Sequence, residues 1–223
     1  MILKELFQKS WVDFKGSLPG FLKAAWCPLL ILLVIPHINS YLEVDESSWT
    51  TIFLNIGESI ATMFLAIYSF TCLFKHRNIE IILSGGKVFV FWFASVFISL
   101  ASSIATLFLV IPGLIILALS VFVPIFILYK NQGPIEAIAS SSSHMQDQLI
   151  KLTAVFTLLW GVPIIANYCL AYLSIHASLY VVTSISVTTV IGYFIYSVAF
   201  NAYFELEETK NKSIQTTVDV PAD

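Results

Sequence analysis

Three polar side chains stand in otherwise apolar stretches of this sequence, and they are the first candidates for chemistry. Glu58 lies in the apolar run 49–74, Asn55 precedes it by about one helical turn, and Asn167 lies in the run 150–173. An ionisable side chain inside an apolar helix is costly and is a candidate functional group by default. Three interpretations of Glu58 stay open: a proton or cation site, a polar contact to a neighbouring helix, or exposure near lipid headgroups.

No set of residues typical of an enzyme accompanies these side chains. The sequence has no H-E-x-x-H metal motif, no G-x-S-x-G nucleophile elbow and no phosphate-binding P-loop. Its three cysteines are too far apart for a metal or disulfide motif, and its histidines are predicted on both sides of a membrane. Those histidines are His37, His76, His144 and His176. We therefore expect no catalysis, no cofactor and no metal site.

The composition indicates a protein that crosses a membrane several times. Of 223 residues, 58% are hydrophobic and 11% are charged, whereas soluble domains have about 25% charged residues. The mean hydropathy is +0.87. A net charge of -3, with scattered basic residues, excludes a nucleic-acid-binding surface. We predict an all-α polytopic membrane protein with six transmembrane helices and cytoplasmic interfacial helices.

The stretch from Val88 to Tyr129 determines the number of spans. It contains no Asp, Glu, Lys, Arg or His and is too long for one crossing, which needs about 20 apolar residues. Pro112 and Gly113, near its middle, are predicted to break the helix and reverse the chain. Pro124 predicts a kink in the second half. The stretch is therefore expected to form a transmembrane hairpin.

One face of the first helix in this hairpin carries small hydroxyl residues. These are Ser95, Ser99, Ser102 and Thr106. Small residues allow close helix packing and hydrogen bonds between helices, so packing is the favoured interpretation and a polar pore lining is the alternative.

The remaining runs complete the predicted domain organisation. Residues 1–204 form a single integral membrane domain, with spans at about 21–41, 49–74, 88–110, 112–129, 150–173 and 179–204. Residues 1–15 have the pattern of an amphipathic helix, either lying in the membrane surface or packed on the end of the bundle. A break is predicted at residues 16–20. Residues 205–223 form a polar cytoplasmic tail that we expect to be mobile or disordered.

A further helix is predicted between the fourth and fifth spans. Gly133 lies in a turn, and Pro134 suits the first position of a helix with Glu136 in its first turn. The helix contains Ser140 to Ser143 and is too polar to cross a membrane. We therefore predict that it lies at the surface.

The basic residues determine the predicted orientation. With six spans, all 11 Lys and Arg residues fall on the side that also holds both termini. Positively charged loops stay cytoplasmic during insertion. Both termini are therefore predicted to be cytoplasmic.

The middle of the chain resembles a known family. The matching segments are Val110-Ile111-Pro112-Gly113-Leu114-Ile115, Phe126-Ile127-Leu128-Tyr129, Gly133-Pro134-Ile135-Glu136-Ala137 and Ser140-Ser141. This pattern, over about residues 88–151, resembles the YciC-like family of bacterial inner-membrane proteins. It is also similar to the membrane domain attached to some glycerophosphodiester phosphodiesterases.

The resemblance implies a six-helix integral protein of the bacterial cytoplasmic (inner) membrane, but no particular activity. In it, Pro112, Gly113, Gly133, Pro134 and Ser140 are structural motif positions. One departure is that residues 135–150 contain no Lys or Arg, where such relatives usually carry several. The resemblance therefore does not predict that this helix contacts anionic lipids.

Two classes of function follow from these observations. The favoured one is a structural, assembly or lipid- and envelope-related role, which needs only helix faces and interfacial segments. The alternative is a small-solute or ion transporter or channel using Glu58, with Asn55 and Asn167 as further polar groups. The expected partners are membrane lipids and either a membrane protein or further copies of the chain, but no nucleic acid.

Overall fold

The structure, a computed structural model, describes residues 3–42, 49–108, 110–172 and 177–218. Regular structure in these ranges is helical, with no strand, so the all-α prediction is confirmed. The helices are α1 (Leu3–Leu42), α2 (Trp49–His76), α3 (Gly85–Phe108), α4 (Val110–Leu119), α5 (Val123–Leu128), α6 (Pro134–Met145), α7 (Leu149–Tyr172) and α8 (Ala177–Val218). A short 3-10 helix, Gln146–Gln148, joins α6 to α7.

Five helical segments of the described chain are long and apolar enough to cross a membrane. They are Leu3–Ile38, Trp49–His76, Gly85–Leu107, Leu149–Tyr172 and Leu179–Lys212. A sixth apolar segment, Pro112–Leu128, is shorter. The length and composition of these helices indicate a multi-pass membrane protein.

Helix α1 continues through the predicted break at residues 16–20, so that prediction is wrong. Close packing on α2 supports the helix there. Gly16 lies against the ring of His76, where a Cβ atom would clash, and a Cβ on Gly57 would lie 3.5 Å from Ile35 Cδ1. Because residues 16 and 35 of α1 face residues 76 and 57 of α2, the two helices run antiparallel.

The N-terminal part of α1 packs on α8. Phe7 lies 6.4 Å from Phe194 and Phe21 lies 4.1 Å from Tyr193, measured between ring centroids. Phe7 and Phe21 are about 21 Å apart along a straight helix, yet they meet adjacent residues of α8. This part of α1 therefore crosses α8 rather than running alongside it. Packing on the bundle is thus observed, whereas a position in the membrane surface stays a prediction.

Helix α3 and the pair α4–α5 form an antiparallel hairpin. Ser102 Oγ donates a hydrogen bond to the Gly113 carbonyl (3.2 Å), and Lys87 Nζ donates one to the Leu128 carbonyl (3.1 Å). The returning segment therefore follows α3 for about 22 Å. Pro112 and Gly113 lie in the first turn of α4, so the prediction that they reverse the chain is wrong. Proline is tolerated there because the N–H groups of a first turn have no helical partner.

The returning segment is interrupted between α4 and α5. Helix α4 ends at Leu119, and α5 begins at Val123 with Pro124 in its first turn. Pro124 has no N–H to offer the Ser120 carbonyl, which accepts a hydrogen bond from Val123 N instead (3.0 Å). The predicted irregularity at Pro124 is confirmed, and it takes the form of a gap rather than a kink.

Helix α6 closes this gap. Gly133 precedes the helix and Pro134 is its first residue, as the sequence predicts. Ser141, which is fully buried, donates a hydrogen bond to the Leu119 carbonyl (2.6 Å) and accepts one from Phe122 N (3.3 Å). Two of the backbone groups freed by the interruption, the Leu119 carbonyl and the Phe122 N–H, thus find a partner on α6.

Helix α8 extends to Val218, well beyond the predicted end of the sixth span. The prediction of a disordered tail is therefore wrong for residues 205–218. Glu207 accepts a hydrogen bond from Lys130 Nζ (2.6 Å), and Glu208 accepts one from Lys212 Nζ (2.7 Å). These ion pairs support a helix that composition alone does not favour.

Candidate functional site

Glu58 lies on an open face of α2, about 13 Å along the helix from Trp49. Its side chain and that of Asn55 are both exposed. Within the described part of the chain, no cationic group pairs with the Glu58 carboxylate, although its backbone carbonyl accepts a hydrogen bond from Thr62 Oγ1 (2.9 Å). The carboxylate is therefore available to a ligand.

A cavity of about 750 Å³ lies beside this face, between α2, α3 and α4–α5; we name it the α2–α3 cavity. Polar side chains line one end of it. They are Asn55, Glu58, Ser59 and Thr62 on α2 and Ser95 and Ser99 on α3. Several of these are exposed, so the polar end of the cavity is open.

The other end of the α2–α3 cavity is apolar and enclosed. Met63, Ala66, Phe91, Val123 and Ile127 line it, and all five are buried. From Asn55 to Ala66 the cavity follows about 16 Å of α2. Its polarity therefore changes along its length, from one carboxylate with amide and hydroxyl groups to mostly hydrocarbon, although Ser120 and Tyr196 also belong to the lining.

A second cavity, of about 420 Å³, lies between α1, α2 and α8; we name it the α1–α8 cavity. Glu58, Thr62 and Tyr196 line both cavities. Leu32 and Pro36 of α1 line the smaller one, and Pro36 has no N–H for the Leu32 carbonyl. Glu58 thus stands at the boundary between two spaces.

Neither cavity is lined by Lys, Arg or His among the described residues. In the part of the chain that the structure describes, Glu58 is the one acidic side chain in either lining. Among the described lining residues, the one charge is therefore negative and the other polar groups are neutral, which favours a cationic or hydrogen-bond-donating ligand group over an anionic one.

The structure brings Asn55 and Glu58 to one cavity but places Asn167 elsewhere. Asn167 Nδ2 donates a hydrogen bond to Thr188 Oγ1 (3.1 Å), and Asn167 Oδ1 accepts one from Ser184 Oγ (2.9 Å). Asn167 therefore joins α7 to α8. Thr188 and Ser184 also line the α1–α8 cavity. Through these two hydrogen bonds, Asn167 orients two side chains of the cavity lining without lining the cavity itself.

The hydroxyl face of α3 divides into two parts. Ser102 and Thr106 meet α4 at Gly113, where a Cβ atom would overlap Thr106 Oγ1 and lie 3.1 Å from the Ser102 carbonyl. Ser95 and Ser99 instead line the α2–α3 cavity. Helix packing and cavity lining are thus both present, on different turns of one face.

A buried charged cluster lies at the other end of α2, and sequence reasoning did not find it. Asp13, which is 8% exposed, accepts hydrogen bonds from Arg77 Nη2 (2.8 Å) and Asn201 Nδ2 (2.9 Å). Arg77 also donates to Asn201 Oδ1 and lies over the ring of Phe200. The one available signal was Asn201, a polar residue within an apolar run. The cluster joins α1, α8 and the end of α2.

His144 on α6 lies in an aromatic cage, outside the five membrane-spanning segments. Its ring stacks on Tyr203 with centroids 4.8 Å apart and meets Phe122 and Phe126 edge-on. Burial lowers the pKa of His144 below its ordinary value, and a contact between Nε2 and the Tyr203 carbonyl (3.4 Å) opposes this shift. The cage packs next to the gap closed by Ser141.

In the ranges that the structure describes, no three His, Cys, Asp or Glu side chains lie close enough to hold a metal ion. Ser140, predicted from the sequence as a structural motif position, is only half-buried, and its neighbour Ser141 makes the contacts described above. Comparison with protein-family models, with curated proteins and with solved structures gives no match to this chain.

Proposed function

We propose that this protein binds a membrane amphiphile in the α2–α3 cavity, within a lipid- or envelope-related role. One observation carries the proposal: the cavity is polar and open at one end and apolar and enclosed at the other. Ligand cavities in proteins have volumes of about 300–1,000 Å³ and mostly apolar walls with a few polar groups, and this cavity fits that description. An acyl chain fits its enclosed end, with a headgroup beside Glu58.

The experiment fills the enclosed end of the cavity. Ala66→Phe places a ring where an acyl chain would lie, and Leu100→Phe makes a comparable change at an exposed position on α3 outside the cavity. Proteins extracted with their bilayer in polymer discs are delipidated and studied by native mass spectrometry. We expect wild type and Leu100→Phe to retain a lipid and Ala66→Phe to lose most of it. Equal retention in all three proteins would contradict the proposal.

A second function is favoured by the shared position of Glu58, Thr62 and Tyr196 between the two cavities. A carboxylate that faces two spaces can exchange a proton or cation between them, as in membrane transporters. Proteoliposomes with an internal pH-sensitive dye test this function. Cation-driven flux that Glu58→Gln abolishes and Glu80→Gln, in a loop, leaves intact would favour transport over lipid binding.

We also infer six crossings of a bacterial cytoplasmic membrane with both termini inside, as in the YciC-like family. The return of α4–α5 along α3 supports this inference, because Lys87 and Leu128 lie together at one end of the hairpin. The positive-inside distribution supports it too. Green fluorescent protein fused to either terminus should fluoresce, and alkaline phosphatase fused there should stay inactive. Active phosphatase at one terminus would indicate an odd number of crossings.

A further inference from the structure

The polar end of the α2–α3 cavity has a definite chemical character. We propose that this polar end selects phospholipids whose headgroup carries a primary ammonium. Glu58 is the residue that binds the ammonium. This inference rests on the proposed function, because it concerns the headgroup of the amphiphile that the cavity would hold.

Charge complementarity is the first argument. The lining of the cavity contains one carboxylate and, among the described residues, no Lys, Arg or His. A headgroup with a phosphate and no ammonium, such as glycerol-phosphate, would bring a net negative charge beside Glu58, with no counter-charge among the described lining residues. An ammonium would form a charge-assisted hydrogen bond with the Glu58 carboxylate, which is stronger than a hydrogen bond between neutral groups.

Hydrogen-bonding capacity is the second argument. A primary ammonium has three N–H donors, and several acceptors line the polar end besides the carboxylate. The Asn55 side chain and the Ser59, Ser95 and Ser99 hydroxyls lie on the two walls that face each other. Asn55 and Glu58 have no hydrogen-bond partner for their side chains within the described residues. A quaternary ammonium has no N–H and could not use these acceptors.

Position along the membrane is the third argument. The polar end lies toward Trp49, and the apolar end extends toward the half of α2 that ends in Lys75 and His76. A phospholipid in the leaflet nearer Trp49 already has its headgroup outward and its chains toward the bilayer centre. It would enter the cavity without turning over.

The test is lipid selection by the full-length protein. Wild-type protein is reconstituted in bilayers with equal amounts of phosphatidylethanolamine, phosphatidylcholine and phosphatidylglycerol, re-extracted, and its retained lipids are quantified. We expect about tenfold enrichment of phosphatidylethanolamine over phosphatidylglycerol, which corresponds to about 1.4 kcal/mol. Glu58→Gln should remove this preference, and Glu80→Gln, the same change outside the cavity, should keep it.

A second measurement needs no variant and so does not depend on how Glu58→Gln folds. Successive N-methylation of phosphatidylethanolamine removes one N–H donor at each step and keeps the positive charge throughout, including in the choline form. Retention by wild type should fall with each methyl group. A flat series, or enrichment of phosphatidylglycerol, would overturn the headgroup assignment.

The outcomes separate the two proposals. Lipid retained without headgroup preference would overturn the ammonium site and leave amphiphile binding standing. No retained lipid of any class would overturn both, and proton or cation flux through Glu58 would then be measured.

Discussion

At the scale of single residues, Ser141 is the side chain on which the returning segment most depends. It satisfies a backbone carbonyl and a backbone N–H at the gap between α4 and α5. Ser141→Ala leaves both groups without a partner in an apolar setting, where each unsatisfied group costs about 1–3 kcal/mol. We expect a lower melting temperature for detergent-solubilised protein. Ser143→Ala, at an exposed position of the same helix, is the control and should melt like wild type.

His144 gives the stability of the protein a dependence on pH. Because burial lowers its pKa in the folded state, the unfolded chain binds a proton more readily below about pH 6.5, the ordinary pKa of the group. The neutral ring is therefore stabilising above that pH, and this contribution is lost as pH falls toward the lowered pKa. Nearby Lys210 and Lys130 favour the neutral ring, whereas Glu207 opposes them.

The measurement is the melting temperature as a function of pH for wild type and His144→Phe. Phenylalanine keeps the ring against Tyr203 but cannot titrate. The wild-type curve should fall more steeply than the variant curve between about pH 7 and pH 5. Parallel curves would show that His144 does not contribute to the dependence.

At the scale of helices, the contact between α3 and α4 depends on Gly113. A Cβ atom there would overlap Thr106 Oγ1 and approach the Ser102 carbonyl to 3.1 Å. Gly113→Ala should therefore destabilise the protein by about 1–3 kcal/mol, and adding Thr106→Ala should recover part of this loss. The matched control is Gly161→Ala in α7, where nothing lies within 4 Å of a new Cβ. Alanine is the better helix former there, so no loss is expected.

Local patterns in the sequence predict which segments are helical but not where all of them end. Pro134 begins α6 as predicted, since proline in a first turn loses no hydrogen bond. Gly16 and Pro19 look like a break, yet α1 continues through them because the helix packs on α2 and α8. The acidic segment after Phe204 looks disordered, yet it is helical because Lys130 and Lys212 bind its glutamates. Contacts between distant residues determine these boundaries, and a local pattern does not contain them.

The candidate site was predictable in part for the same reason. Glu58 and Asn55 stand out as polar residues in an apolar run, and they are neighbours on one helix. Their association with Ser95 and Ser99 depends on the packing of α3 beside α2. Asp13 and Arg77 each looked like ordinary surface charges, because nothing in their local sequence indicates that they meet.

At the scale of the whole molecule, the Asp13–Arg77–Asn201 cluster joins three helices. Removing one partner of a buried ion pair costs up to about 3–5 kcal/mol, and we expect about 2–3 kcal/mol here because the Arg77 side chain is 31% exposed. Arg77→Gln should cost more than Asp13→Asn, since Asp13 is the more buried partner. The double variant should cost less than the sum of the two. Glu208→Gln, at the exposed Lys212 pair, is the control and should change little.

The position of Ser141 in the chain also has a consequence for biosynthesis. The Leu119 carbonyl and the Phe122 N–H are made first and leave the ribosome before Ser141, which alone among the described side chains bonds both. Until α6 has been made and has folded back, the fourth apolar segment carries two unsatisfied backbone groups, which hydrocarbon tolerates poorly. This segment can therefore reach its final state only after the polar helix that follows it. The fourth apolar segment is therefore synthesised before α6 but completes its folding only after α6 has folded.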